Sequence, residues 1–342
     1  MNKIYLSGNY VIVEKDGNVY EYPRTLSVYT LEGSNYVIKE RIDDGQFVIP
    51  ISQIGTYFDE TGAVAYDEAS LVAFLRTNTG FKTAGGGSPA DADAQLFIDA
   101  ASITDSTQKS AINQLVIDLK NYGIWTKMKA IYPFVGGTAS SHKFNLKDPR
   151  DLDAAFRLVF NGGITHDANG ITGNSVNSYC NTFLAPVSHL SVTDNHLSFY
   201  SRTSTASRYD MGAADNVGIS INELIMIARY QPTAGTPAYY SSDGGYNCSS
   251  ANLDGSGFFN GTMDGTTQKL FRNSTLIASA NSSGSQLTFN NIYIGAVNGN
   301  AAYFISDRNY AFSSIGDSLT DTDAANFYTA VQAFNTTLSR QI

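Results

Sequence analysis

Charge is the scarcest property of this 342-residue chain: Lys, Arg, Asp and Glu together make up 15% of it, with a net charge of −9. Lys and Arg form no cluster, which excludes the phosphate-tracking surface that nucleic-acid binding requires. No apolar run approaches the roughly twenty residues of a membrane-spanning helix, so no membrane insertion is expected. The opening residues, Met1 to Gly8, hold no apolar stretch of signal-peptide length, and the chain reads as cytoplasmic at synthesis. Cysteine is nearly missing: Cys180 and Cys248 stand far apart, in no metal spacing, and free thiols are favoured over a disulfide. The four histidines, His142, His166, His189 and His196, are likewise scattered, so no metal centre and no cofactor is expected.

What replaces charge is Ser, Thr, Asn and Gly, together with 21 Tyr and 19 Phe. A polar, uncharged, Tyr-rich chain punctuated by Gly turns points to β-architecture with large surfaces. Residues 1–82 read as a small β domain. Tyr10–Lys15 and Val19–Tyr22 flank an Asp16-Gly17-Asn18 turn, and Tyr36–Lys39 and Gln46–Pro50 form a second pair. Asp67 is placed to cap one short helix carrying Leu71, Phe74 and Leu75 on one face. Residues 83–89, with Gly85-Gly86-Gly87, form a linker. A helical segment, 90–127, follows. Its second helix, 106–121, opens at Thr104-Asp105, carries the stripe Ile112, Leu115, Val116 and Leu119, and stops at Gly123.

From 128 to 342 strand patterns repeat at short spacing, the signature of a β-sandwich. Between 231 and 300 only five residues are charged, so hydroxyls and amides keep this surface wet. The last element is a helix opened by Asp321-Thr322-Asp323, with Phe327, Val331, Phe334 and Leu338 on its apolar face.

Several separated stretches carry a resemblance, in order along 105–342. They are Ala111–Val116 through Lys120–Trp125, Ala130–Thr138, His142–Arg150, Ser314–Asp317 and Ala330–Phe334. They resemble tail- and fibre-type virion proteins of bacteriophages that infect Bacteroidetes, including crAss-like phages. The resemblance implies a concanavalin-like (LamG-type) jelly roll for 128–342 and a virion-attachment module for residues 1–82. It also implies location in the virion after synthesis in the host cytoplasm, other virion proteins of head or tail as partners, and a host-surface glycan or protein as target.

Three motifs invite a catalytic reading. Gly316-Asp317-Ser318-Leu319 matches the string of the GDSL hydrolases, yet only 23 residues follow Leu319 and none is His, so a turn and helix cap is the better reading. Jelly-roll glucanases carry Glu-x-Asp-x-x-Glu. After Glu68 this chain has a single glutamate, Glu223, with no Asp two residues on. Asp210, Asp215, Asp243, Asp254 and Asp264 lie near turns but form no Asp-x-Asp-x-Asp set for Ca²⁺. No catalytic residue is therefore assigned.

The positive clue is aromatic. Tyr239, Tyr240, Tyr246 and Asn247 sit in a Gly/Ser loop, and Arg202, Arg208 and Tyr209 form a second group beside Tyr200. Tyrosines in such loops supply contact area at low entropic cost, although packing of the sandwich or of an oligomer would also use them. The expectation is a binding protein of the virion, associated as a homotrimer chiefly through residues 90–125, with the Ile112–Leu119 stripe, and the flank of the jelly roll, or else that stripe packs within the chain. A glycan depolymerase on the same fold and a purely structural capsid or tail component are the alternatives.

Overall fold

A computed structural model describes residues 2–7, 10–23, 27–32, 35–40, 46–67, 70–71, 74–75, 91–204, 209–216, 221–230, 236–242, 247–251, 254–281 and 286–342. The chain divides into two compact units, Met1–Ala90 and Asp91–Ile342. The expected linker at 83–89 lies outside the described residues.

In the first unit, β2 (Tyr10–Lys15) and β3 (Asn18–Pro23) form a tight hairpin. Asp16 and Gly17 both take positive φ, 53° and 83°, the backbone that lets a two-residue turn follow the strand twist. β1 (Asn2–Ser7) pairs antiparallel with β2 and parallel with β7 (Tyr57–Phe58). A separate sheet is built from β4 (Ser27–Glu32), β5 (Asn35–Glu40) and β6 (Gln46–Pro50). β1, β4 and β7 are additions to the strands read from sequence. Ile4, Val11, Val13, Ile38, Ile49 and Tyr57 share one core with Leu71 and Leu75. Asp67 caps the helical turn, its Oδ1 accepting from the Ser70 N–H at 2.7 Å.

The second unit is a two-sheet β-sandwich of the jelly-roll type with helices on one side. The eight-stranded sheet runs β10 (Thr165–Asp167), β11 (Gly170–Thr172), β24 (Asn309–Gly316), β13 (Asp194–Ser201), β18 (Gly257–Asp264), β19 (Thr267–Arg272), β20 (Thr275–Asn281). β8 (Met128–Tyr132) also pairs with β24. The nine-stranded sheet runs β17 (Asn247–Ser249), β16 (Thr236–Ser242), β15 (Ile221–Tyr230), β14 (Met211–Asn216), β21 (Tyr293–Ile294), β12 (Tyr179–Asn181), β9 (Val159–Asn161). β22 (Val297–Asn298) joins β14 and pairs with β23 (Ala302–Tyr303).

Alternation decides what lies between the sheets. Leu197 and Phe199, Phe259 and Met263, and Tyr310 and Ile315 face Met211 and Ala213, Leu224, Met226 and Ala228, and Ile294. Both cysteines are free and sit in this core. The opposite face of the eight-stranded sheet is covered by α1 (Ala92–Ala100), α2 (Ser106–Asn121) and α3 (Asp321–Thr337). Ile131, Tyr200, Phe258 and Phe312 of the sheet pack there against Phe327, Val331 and Phe334 of α3.

The stripe Ile112, Leu115, Val116 and Leu119 lies in that same cluster, each residue at most 1% exposed. Each such burial contributes roughly 1.5–3 kcal/mol, and here it is spent within the chain. This corrects the expectation of a trimer contact on α2: the stripe is an intrachain packing face. The helices at 90–127 are a layer of the second unit. β14 and β24 are central strands whose residues give little strand signal in the sequence. β14, Met-Gly-Ala-Ala-Asp-Asn, has poor strand formers, and β24 holds Ser313 and Ser314 where an apolar row would be expected. Partners make the serines tolerable there: Ser313 Oγ donates to Ser198 O at 3.0 Å, and Ser314 Oγ lies 2.6 Å from Ser198 Oγ.

Candidate binding site at the rim of the nine-stranded sheet

Tyr239 and Tyr240 fall on β16, opposite Met226 and Ile225 of β15, and Asn247 opens β17 opposite Tyr240. Their side chains, and all of Tyr246 and Arg208, lie outside the described residues. The second aromatic group is split by the fold. Tyr200 is fully buried; its OH donates to Gln332 Oε1 at 2.9 Å and accepts from the Ile342 N–H at 2.9 Å. Arg202 Nε donates to Arg340 O at 2.8 Å. These two residues hold the chain's last residues against the sheet. Tyr209 stacks on Phe304, centroids 4.6 Å apart, and covers a small cluster of Ala214, Ile225, Ile227 and Val297 on the outer face of the nine-stranded sheet.

The GDSL string is structural in its contacts. Ser318 offers its N–H to Asp194 Oδ1 at 2.6 Å, and its carbonyl accepts from Lys127 Nζ at 3.2 Å. Thr320 and Asp323 form the expected capping box of α3. A Cβ on Gly316 would overlap Lys127 O, which explains the glycine. A serine–histidine pair does exist nearby, invisible to local spacing. His196 Nδ1 lies 2.6 Å from Asp317 O and must donate to it, leaving Nε2 to accept from Ser314 Oγ at 3.1 Å. Ser314, His196 and Ser198 are all 0% exposed. No substrate reaches that serine, and burial holds His196 neutral, its pKa lowered to about 4.

The fold also joins two histidines that the sequence leaves 24 residues apart: His142 Nδ1 and His166 Nδ1 stand 3.1 Å apart. The Gly137 N–H donates to His142 Nε2 at 3.2 Å, so His142 must carry its proton on Nδ1 and give it to His166. Burial and the neighbouring His166 lower the His142 pKa to about 3, and burial lowers that of His166. Of the aspartates near turns, Asp210 is fully buried against Arg308, and Asp254 is held well below the usual carboxylate range by hydrogen bonds from Ser204 and Ser256 and by the Arg272 charge, against the opposing cost of its burial. Asp243 lies outside the described residues.

Asp215, near the end of β14, organises a different kind of site. Its Oδ1 accepts from Thr288 Oγ1 at 2.6 Å and from the Phe289 N–H at 3.0 Å, and its Oδ2 from Asn222 Nδ2 at 2.9 Å. Asn300 Nδ2 donates to Asp215 O at 3.3 Å, and Asn290 Nδ2 to Ala214 O at 2.8 Å. The result is a rim of asparagine side chains whose backbone is fixed by one carboxylate. Phe289 stands on it, 63% exposed. An aromatic ring held outward beside amide groups is a recognition chemistry. Glu223 lies on β15 opposite Ala214, and burial raises its pKa to about 7. The sequence reading missed the rim because its residues come from 215, 222 and 288–300 and share no local motif.

No family model matches the chain, and no curated protein matches it. Among the solved structures that resemble it are domains of a sialidase, an arabinanase and a toxin. The CBM40 of Ruminococcus gnavus IT-sialidase bound to α2,3-sialyllactose is 14% identical, covering 37% of this chain and 77% of that one at a TM-score of 0.30. Domain 4 of AbnA, a GH43 extracellular arabinanase from Geobacillus stearothermophilus, in complex with arabinotriose, is 11% identical over 59% of this chain and 98% of that one, TM-score 0.37. The binding domain of botulinum neurotoxin serotype D is 11% identical over 60% and 52%, TM-score 0.36. Sialyllactose and arabinotriose are ligands of those proteins; the rim described above rests on this chain's own geometry.

Proposed function

We propose that this chain is a virion protein of the fibre or decoration type, displaying a jelly-roll domain that binds glycans on a bacterial host. The observation that carries the binding part is an asymmetry. Three helices seal the eight-stranded sheet, while the nine-stranded sheet ends in an amide-lined rim with Phe289 outward. The virion part rests on the sequence resemblance, with the first unit as the attachment module. Trimeric association would raise avidity for a repetitive surface without new contacts, through surfaces other than the α2 stripe. The test is binding of the purified full chain to intact Bacteroidetes cells before and after periodate oxidation of their surface sugars. Binding that periodate abolishes supports the reading; binding that survives it removes the glycan.

A second reading, a depolymerase, is favoured by Glu223, whose burial places its pKa at about 7, in the range of a general acid. It sits one residue from Asn222, which bonds Asp215 Oδ2. New reducing ends released from capsule polysaccharide by the wild type but not by Glu223→Gln would establish it. No release by the wild type would remove it.

A further inference from the structure

The rim around Asp215 combines one exposed aromatic ring with asparagine side chains and, among the described residues, no basic residue. We infer that Phe289 is the stacking platform of a subsite for an uncharged pyranose, an inference that rests on the glycan-binding reading and names its ligand class.

Not one Asp, Glu, Lys or Arg occurs between Asn273 and Ser306, the stretch that supplies Thr288, Phe289, Asn290 and Asn300. The other contributors, 211–216 and 221–224, bring only Asp215 and Glu223. A sialic or uronic acid placed on this rim would meet the Asp215 carboxylate, and among the described residues no cation has a contact with the Asp215 group. Recognition of an anionic sugar calls for Arg or Lys donors, whereas a neutral sugar needs a hydrophobic face and hydrogen-bonding amides.

Both are present. Phe289 contributes its ring and is anchored by its own backbone N–H to Asp215 Oδ1, so the platform is fixed without using the side chain. Exposed Asn300 and half-buried Asn290 each give Nδ2 to a backbone carbonyl, and neither Oδ1 has a partner among the described residues. Two amide oxygens thus remain to accept from sugar hydroxyls. Their donors are already oriented, so little rotamer entropy is lost on binding.

The experiment is an array of neutral hexose, deoxyhexose and N-acetylhexosamine oligosaccharides beside sialylated and uronic-acid ones. It is probed with the full chain, Phe289→Ala and Leu276→Ala, followed by calorimetry on the best neutral hit. Phe289→Ala keeps the N–H bond and removes an exposed ring, so its melting profile should match the wild type. Its affinity should fall about tenfold or more, the loss of a central aromatic contact. Leu276→Ala, another exposed apolar residue, should bind as the wild type does. Binding of neutral sugars that is equal in Phe289→Ala and wild type overturns the subsite and leaves the glycan reading standing. Binding confined to acidic sugars overturns the ligand class. No binding to any sugar, or retention only on a protein receptor, overturns both the subsite and the reading beneath it.

Discussion

Arg308 Nε lies 2.8 Å from Asp210 Oδ1, with both side chains fully sealed from solvent, and the pair ties the residue preceding β14 to the residue preceding β24 across the sandwich. The remaining donors of Arg308 reach Thr203 O at 2.8 Å, Gly255 O at 3.2 Å and Arg229 O at 3.3 Å. The carboxylate also accepts from Tyr310 OH at 2.6 Å and the Ala228 N–H at 2.7 Å. Removing one partner of such a pair strands the other charge in a low-dielectric interior. Asp210→Asn is expected to cost the second unit roughly 3–5 kcal/mol, read as a shift of its denaturant transition. A loss below about 1 kcal/mol would mean the pair does not hold the sheets together.

Acid should weaken the second unit earlier than carboxylate titration alone would. His142 and His196 have pKa values lowered to about 3 and about 4 from an ordinary 6.5, and His166 is lowered as well. Above pH 6.5 both folded and unfolded forms are neutral and this stability is fully present. As pH falls below 6.5 the unfolded chain takes up protons that the native state refuses, so stability is lost progressively until the folded values are reached. Glu223 has the opposite sign: raised from 4.5 to about 7, it favours the native state below 4.5 and loses that contribution as pH rises through 7. The melting temperature should therefore fall between pH 6.5 and 4.5, and Glu223→Gln should steepen the fall. A shallower fall in that variant would show that Glu223 is not protonated in the native state.

Leu115→Asp and Leu119→Asp should unfold rather than dissociate. Truncating a buried leucine to alanine costs about 2–5 kcal/mol, and a buried, unpaired carboxylate costs more. The helical layer is expected to detach, with loss of the cooperative calorimetric peak of the second unit. Light scattering that instead shows a folded monomer replacing an oligomer would restore α2 as a subunit contact.

Ser318 and Thr320 should separate cleanly. Ser318 uses backbone atoms in its contacts, so Ser318→Ala is expected within about 0.5 kcal/mol of wild type. Thr320→Ala removes a side-chain bond to the Asp323 N–H at 3.1 Å and should cost about 1 kcal/mol. An ester hydrolysis activity that vanishes in Ser318→Ala would overturn the structural assignment of the GDSL string.

Local features were legible in the residues themselves. Asp16-Gly17 specifies its hairpin, Asp105 caps α2 through the Gln108 N–H at 2.8 Å, and Thr320 with Asp323 caps α3. Each is settled within a few residues by backbone donors that need acceptors. Periodicity showed that one face of α2 is apolar; the sheet and α3 that cover it come from distant sequence positions, α3 from the far end of the chain. Only tertiary structure decided that His142 meets His166, that Arg308 neutralises Asp210, and that Tyr200 is an anchor while Phe289 faces solvent. Composition states how much aromatic surface a chain carries. Which rings are left outside depends on strand register and on what the opposite end of the chain places over them, and neither is encoded within reach of a local motif.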